Sequence, residues 1–239
     1  MATGTGRFGM EDRQDERYRL SFTAGALLLE QGRAVASYFL SHAPAQVLRE
    51  VEGSLQVGDA IASIRSQALD DNVLALRSRT ANARYLSEVL KRLSTLGHRE
   101  LVFLVSDESV PSDRRVLMWV AMCRYYAFVG DFATEVLRRH FLLREPMDQS
   151  GDFARFVRSK ALWHPELETV TAATMKKLRG NLFAAMGEAE LLDRADGRVL
   201  EAPVTASLSP ILERRPDSLE FLPTDRRVAG WTFDRGGQG

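Results

Sequence analysis

Thirty-two Lys and Arg are balanced by 32 Asp and Glu over 239 residues, which excludes a chain drawn to polyanions as a whole; any nucleic-acid contact has to come from local charge asymmetry. A hydrophobic fraction of 45% supplies a proper core, and the length suits one large domain or two small ones. The single cysteine, Cys123, excludes a disulfide within the chain and suits a reducing compartment. No apolar run approaches the roughly 20 residues that cross a bilayer, and the start lacks the basic and apolar regions of a signal peptide, so a cytoplasmic protein without membrane contact is expected.

From the N-terminus, residues 1–16 combine glycine with dense charge, have almost nothing to bury and read as a disordered tail. A helix is expected over 22–40, with Leu27, Leu28, Val35, Tyr38 and Phe39 available for burial, and a short one over 45–51. Another is expected over 59–76, carrying Ile61, Ile64, Ala68, Val73 and Leu76. Thr80 is a candidate N-cap for a helix in which Leu86, Val89, Leu90 and Leu93 share a stripe, and Gly97 is its candidate stop. Residues 101–105 are too short to classify by period and read as a strand or as one turn of buried helix. A loop over 106–113 precedes helices over 114–129 and 132–142. Within the first of these, 116–123 is the most apolar run in the chain, and Cys123 reads as a small buried hydrophobe rather than a nucleophile. Residues 144–151, with Pro146, mark a boundary between a helical domain at 17–143 and a second domain at 144–224. A flexible tail at 225–239 carries Trp231 and Phe233, whose role stays open.

The second domain reads as a winged helix-turn-helix. An amphipathic segment at 152–160 puts Phe153, Phe156 and Val157 on one face. Thr171 then caps a longer helix whose Met175, Leu178, Leu182 and Met186 form one stripe, leaving Lys176, Lys177, Arg179, Gly180 and Asn181 on other faces; no acidic residue occurs between Thr171 and Ala185. Leu191-Leu192 and Val199-Leu200 flank Asp196-Gly197, the dipeptide of a two-residue hairpin turn, with Arg194 and Arg198 beside the tip. Helix, basic helix and hairpin in that order match a recognition helix and wing, in which phosphate contacts orient and base contacts specify. The first domain repeats the theme: Arg77, Arg79, Arg84, Lys91, Arg92 and Arg99 share a segment whose single carboxylate is Glu88, and Arg77, Arg79 and Arg84 are its candidates for phosphate contact. The expected fold class is mainly α: two helical halves with helix-turn-helix-like elements and a small hairpin wing near the C-terminus.

Signals for catalysis are weak. Gly4, Gly6 and Gly9 spell a dinucleotide pattern, but no strand precedes them and no helix context follows. His42, His98, His140 and His164 lack the close second ligand of a zinc site, and the carboxylates at 70–71, 107–108 and 148–152 read as caps or solvated groups. Neither a cofactor nor a metal is expected.

Residues 18–27, 71–74, 91–93, 123–132 and 174–178, in that order and spacing, resemble the BrxA family of BREX bacteriophage-exclusion systems, with similarity running over 18–222. The resemblance implies a mostly helical protein that binds double-stranded DNA without enzymatic chemistry of its own. It also implies work beside a site-specific adenine methyltransferase, a large ATPase and a phosphatase-like protein. Two alternatives stay open: a scaffold whose basic faces dock acidic surfaces of those partners, and an RNA-binding role, since family members have been likened to the antitermination factor NusB.

Overall fold

The computed structural model describes residues 17–225, and in them the chain is mainly helical, with a single antiparallel bridge, Leu192 to Val199, as the only β-pairing among the described residues. The tails expected at 1–16 and 225–239, with Trp231 and Phe233, lie outside the described residues apart from Asp225.

Residues 22–28, expected to begin the first helix, are not helical; with 17–21 they form an irregular strap that turns at Gly25 and Leu28, both with positive φ. Helix α1 starts only at Leu29 and runs Leu29–His42, after a left-handed Leu28. The apolar residues of the strap are buried as anticipated, Phe22 and Leu27 among them; apart from a local bond of the Thr23 N–H to the Ser21 carbonyl at 2.7 Å, its backbone groups bond to distant side chains. Helix α2, Ala45–Val51, lies where its spacing predicts. The helix expected over 59–76 is shorter and broken: a 3-10 helix at Gly58–Ile64 leads into α3, Arg65–Asp70, and left-handed Asn72 and Ala75 stop it there.

Ser78, not Thr80, caps α4, Arg79–Leu93, accepting from the Ala81 N–H at 3.3 Å. Gly97 does not close that helix but opens the next. Its N–H donates to Glu100 Oε2 at 2.7 Å at the start of α5, His98–Val105, so the undecided run 101–105 is helix. A Cβ on Gly97 would stand 2.6 Å from the Ser54 carbonyl, so this close approach of two turns demands glycine.

Pro111 sits at the first position of α6, Pro111–Tyr125, which therefore begins inside the loop expected at 106–113; proline suits a helix start because its missing N–H has no partner there anyway. Every residue from Val116 to Cys123 is buried, making α6 the core helix. The break after it comes at Tyr126, earlier than the pattern suggests, and the chain turns by 117°. Helix α7, Ala127–Phe132, continues through a π-helical turn, Ala133–Leu137, into α8, Arg138–Leu143. Among the described residues no single helix is long and apolar enough to cross a membrane.

Helix α9, Gly151–Lys160, buries Phe153 and Phe156 as expected. They meet Phe128 and Phe132 of α7 and Phe183 of the next helix, with Phe132–Phe156 at 5.1 Å and Phe132–Phe183 at 5.8 Å, both edge-on. Each such pair contributes roughly 0.5–1.5 kcal/mol beyond the area it buries. Helix α10, Ala172–Glu188, follows, and then a short α11, Ser209–Leu212. A 3-10 turn, Pro216–Phe221, closes the described chain against the core helix, where Trp119 Nε1 donates to the Phe221 carbonyl at 2.9 Å and Arg124 donates to Ser218. Buried apolar residues from Tyr18 to Leu222 form one continuous cluster.

Candidate nucleic-acid interface

Helix α10 is fixed at its start by Thr171, whose hydroxyl accepts from the Thr174 N–H at 3.2 Å, and along its length by the burial of Leu178, Leu182, Phe183, Ala185 and Met186. Met175 of the expected stripe is only half-buried. The opposite face is Ala172, Ala173, Lys176, Lys177 and Gly180, all exposed, and a Cβ added at Gly180 would meet open space. The two lysines therefore stand on a face with little bulk around them.

The other residues singled out from the sequence are placed differently. Arg179 is half-buried and donates to Ser150 Oγ at 3.3 Å. Asn181 turns towards the strap, where its amide donates to the Phe22 carbonyl at 2.9 Å, and so acts as a clamp. Arg194 is exposed, with its aliphatic stem lying over Gly187; a Cβ there would come within 2.8 Å of its Cδ. Arg198 lies 3.7 Å from Asp193 and 3.8 Å from Asp196, which offset part of its charge. The tip between them is a longer loop than the expected two-residue turn. Asp193 N–H donates to the Arg198 carbonyl, and Gly197 alone has a positive φ, +78°. A side chain on Gly197 would also strike the Met147 carbonyl, to whose residue this loop is tied by the Met147 N–H donating to the Gly197 carbonyl at 2.8 Å.

On the first half, Arg77 is exposed with no partner among the described residues, Arg79 pairs with Asp70 at 2.9 Å in open solvent, and Arg84 donates to the Thr23 carbonyl at 2.9 Å. Arg92, counted from the sequence with the basic segment, is fully buried and belongs to the core. Thr80, Arg84, Ser87 and Lys91 line one side of an open groove of about 470 Å³; Arg65 at the start of α3 and Ser21 on the strap complete its rim. Sequence reasoning missed Arg65 and these hydroxyls. Positions 80, 84, 87 and 91 fall on one helical face, which was a legible signal, but the strap that turns this face into a groove was read as helix.

The strap joins the two basic regions. Asn181 of α10 and Arg84 of α4 bond successive carbonyls, those of Phe22 and Thr23, so both helices grip adjacent residues of one segment. Further anchors are the Leu27 N–H to Glu188 at 2.9 Å, Tyr18 OH to Asp131 at 2.6 Å, and Tyr18 N–H to Glu166 at 2.5 Å. Burial would raise the Glu166 carboxyl, yet the N–H groups of Tyr18 and of Glu166 itself, with His164 at 3.2 Å, outweigh it and hold that carboxyl below its usual range. Burial, together with Asp131, pushes the Tyr18 phenol up, so it stays a donor.

Two large apolar side chains, Leu162 and Trp163, stand 79% and 77% exposed in the connection from α9 to α10. Among the described residues no group of three or more His, Cys, Asp or Glu is placed to hold a metal ion.

A protein-family model described as BrxA matches residues 16–215. A curated relative named "BREX protein BrxA", from Escherichia coli O9:H4 (strain HS), is 25% identical over 193 residues, covering 80% of this chain and 81% of the relative. Among solved structures, an uncharacterized protein from Magnetospirillum magneticum shares the fold, with a TM-score of 0.68 at 16% identity, over 87% of this chain and all of that one.

Proposed function

This chain belongs to the BrxA family, and on that premise we propose that it is an accessory protein of a BREX phage-defence system that binds double-stranded DNA and carries out no catalysis itself. It acts in the cytoplasm beside the other BREX proteins. The observation that carries the reading is the solvent face of α10, where Lys176 and Lys177 project from a surface of alanines and glycine, narrow enough for a helix to lie against a duplex. The order α9, α10 and a loop closed by one antiparallel bridge supports a winged helix-turn-helix reading, in which Arg194 and Arg198 would sit at the wing. Arg77, Arg79 and Arg84 add phosphate contacts from the first half.

A second reading, a protein-docking scaffold, is favoured by Leu162 and Trp163, because an exposed tryptophan beside an exposed leucine is the composition of an interface hot spot. Fluorescence anisotropy with a labelled random duplex, a single-stranded DNA and an RNA hairpin separates the readings. Duplex binding that weakens on the order of a thousandfold between 50 and 200 mM salt, as about six neutralised phosphates require, and that is lost in Lys176→Ala/Lys177→Ala, is the expected result. A flat salt response, or a preference for RNA, would sink the duplex reading. Intact duplex binding by a Trp163→Ser variant that no longer joins its BREX partners would assign the second surface to protein.

A further inference from the structure

We infer that the groove between the strap and α4 is a phosphodiester-backbone site continuous with the basic face of α10, an inference that rests on the duplex reading above and deepens it. Thr80, Arg84, Ser87 and Lys91 recur along α4 at the spacing of a single face, and Arg65 faces them across the groove. The lining is net positive, with Arg65, Arg84 and Lys91 against one carboxylate, Glu88. Arg65 is exposed and has no ion partner among the described residues, and the Arg84 guanidinium meets a neutral carbonyl rather than a carboxylate. Lys91 Nζ lies 3.8 Å from Glu88, but that carboxylate is buried and already held by Arg92 at 3.0 Å and by the Tyr126 hydroxyl at 2.8 Å.

Guanidinium, ammonium and hydroxyl donors set along an open channel match the oxygens of successive phosphates. The lining has alanines, Ala24 and Ala83, where a base would need an aromatic ring to stack on, so the groove suits backbone rather than a free nucleotide's base. Its position suits a strand already held by α10. Lys177 precedes Asn181 by one helical turn, and Asn181 and Arg84 grip the carbonyls of neighbouring residues, whose Cα atoms are about 3.8 Å apart. Lys177 and the groove therefore border one surface, with the strap as the seam between them.

The test is the salt dependence of binding to a labelled 20-base-pair random duplex, measured on the full chain for the parent, Arg65→Ala/Lys91→Ala and Lys176→Ala/Lys177→Ala, with thermal unfolding of each variant as a control. Loss of two phosphate contacts lowers the slope of log affinity against log salt by about two and weakens binding on the order of fiftyfold at 0.1 M salt. Arg65→Glu repeats the test through a single exposed side chain that holds no other part of the fold, with a loss of at least tenfold expected. An unchanged slope in both groove variants, alongside weakened binding in the α10 variant, would overturn the groove while leaving the duplex reading intact. Absence of duplex binding by the parent at 50 mM salt would overturn both, a pattern distinct from the first.

Discussion

A guanidinium taken wholly out of water costs several kcal/mol unless its N–H groups find acceptors, and Arg92 finds them in two kinds. Nε and Nη2 bond Glu88 at 3.1 and 3.0 Å, while Nη1 reaches the Ala26 and Leu27 carbonyls at 2.6 and 3.0 Å. The residue thus satisfies a buried carboxylate and also holds the strap. Arg92→Met is expected to lower stability by about 3–5 kcal/mol in denaturant unfolding, because Glu88 is left buried with only the Tyr126 hydroxyl and the more distant Lys91 ammonium at 3.8 Å; Glu88→Gln/Arg92→Met should recover part of it. Equal midpoints for Arg92→Met and the parent would show that the pair is not what secures the strap. Its burial was not legible from sequence, since at residue level Arg92 is one more cation in a basic run, and only the strap's carbonyls, supplied from 65 and 66 positions away, explain why it turns inward. Lys176 and Lys177, by contrast, were legible because the apolar stripe of α10 dictates which face is left to solvent.

At the scale of elements, periodicity recovered α2, α9 and α10, whose burial follows from spacing alone, and it recovered the apolar stripe of α4. It failed for residues 22–28, where apolar side chains mimic a helical pattern but the backbone is irregular and bonds to remote side chains. It also failed at the two ends of α6, where a proline starts a helix and a non-glycine residue, Tyr126, ends it. The strap makes a pH dependence. Glu166 accepts from the Tyr18 N–H, and its folded carboxyl lies below the ordinary value of 4.5, so it contributes stability that is fully present above that value and is lost as pH falls through the folded one. Thermal midpoints should therefore drop on acidification below about pH 4.5, and Glu166→Gln should reduce the size of that drop while lowering stability at pH 7. If the parent and Glu166→Gln lose the same amount over that range, the carboxylate is not a source of the acid response.

At the scale of the whole molecule, one hydrophobic cluster runs from the strap through the core helix to the closing turn, and side chains near both ends of the described chain, Tyr18 and Arg215, bond to its middle at Asp131 and Thr95. The strap's partners are remote in sequence: Tyr18 meets Glu166 at a separation of 148, Phe22 meets Asn181 at 159, and Leu27 meets Glu188 at 161. Synthesis on a ribosome runs from one end, at roughly 5–20 residues per second, so the earliest segment of this fold waits on the order of ten seconds for the residues that anchor it. During that interval Phe22 can reach Tyr126 and Phe128, but the strap lacks the bonds from Glu166, Asn181 and Glu188 that clamp it, and the nascent chain presents it to chaperones and proteases. Ribosome-bound chains stalled before Glu166 should be cut within residues 17–28 under limited proteolysis, and chains extended well past Glu188 should resist; protection already present in the shorter chains would show that the strap settles without its clamps. The time at which this protein becomes resistant to degradation is thus set by the last third of its chain, although the segment that gains protection is its first.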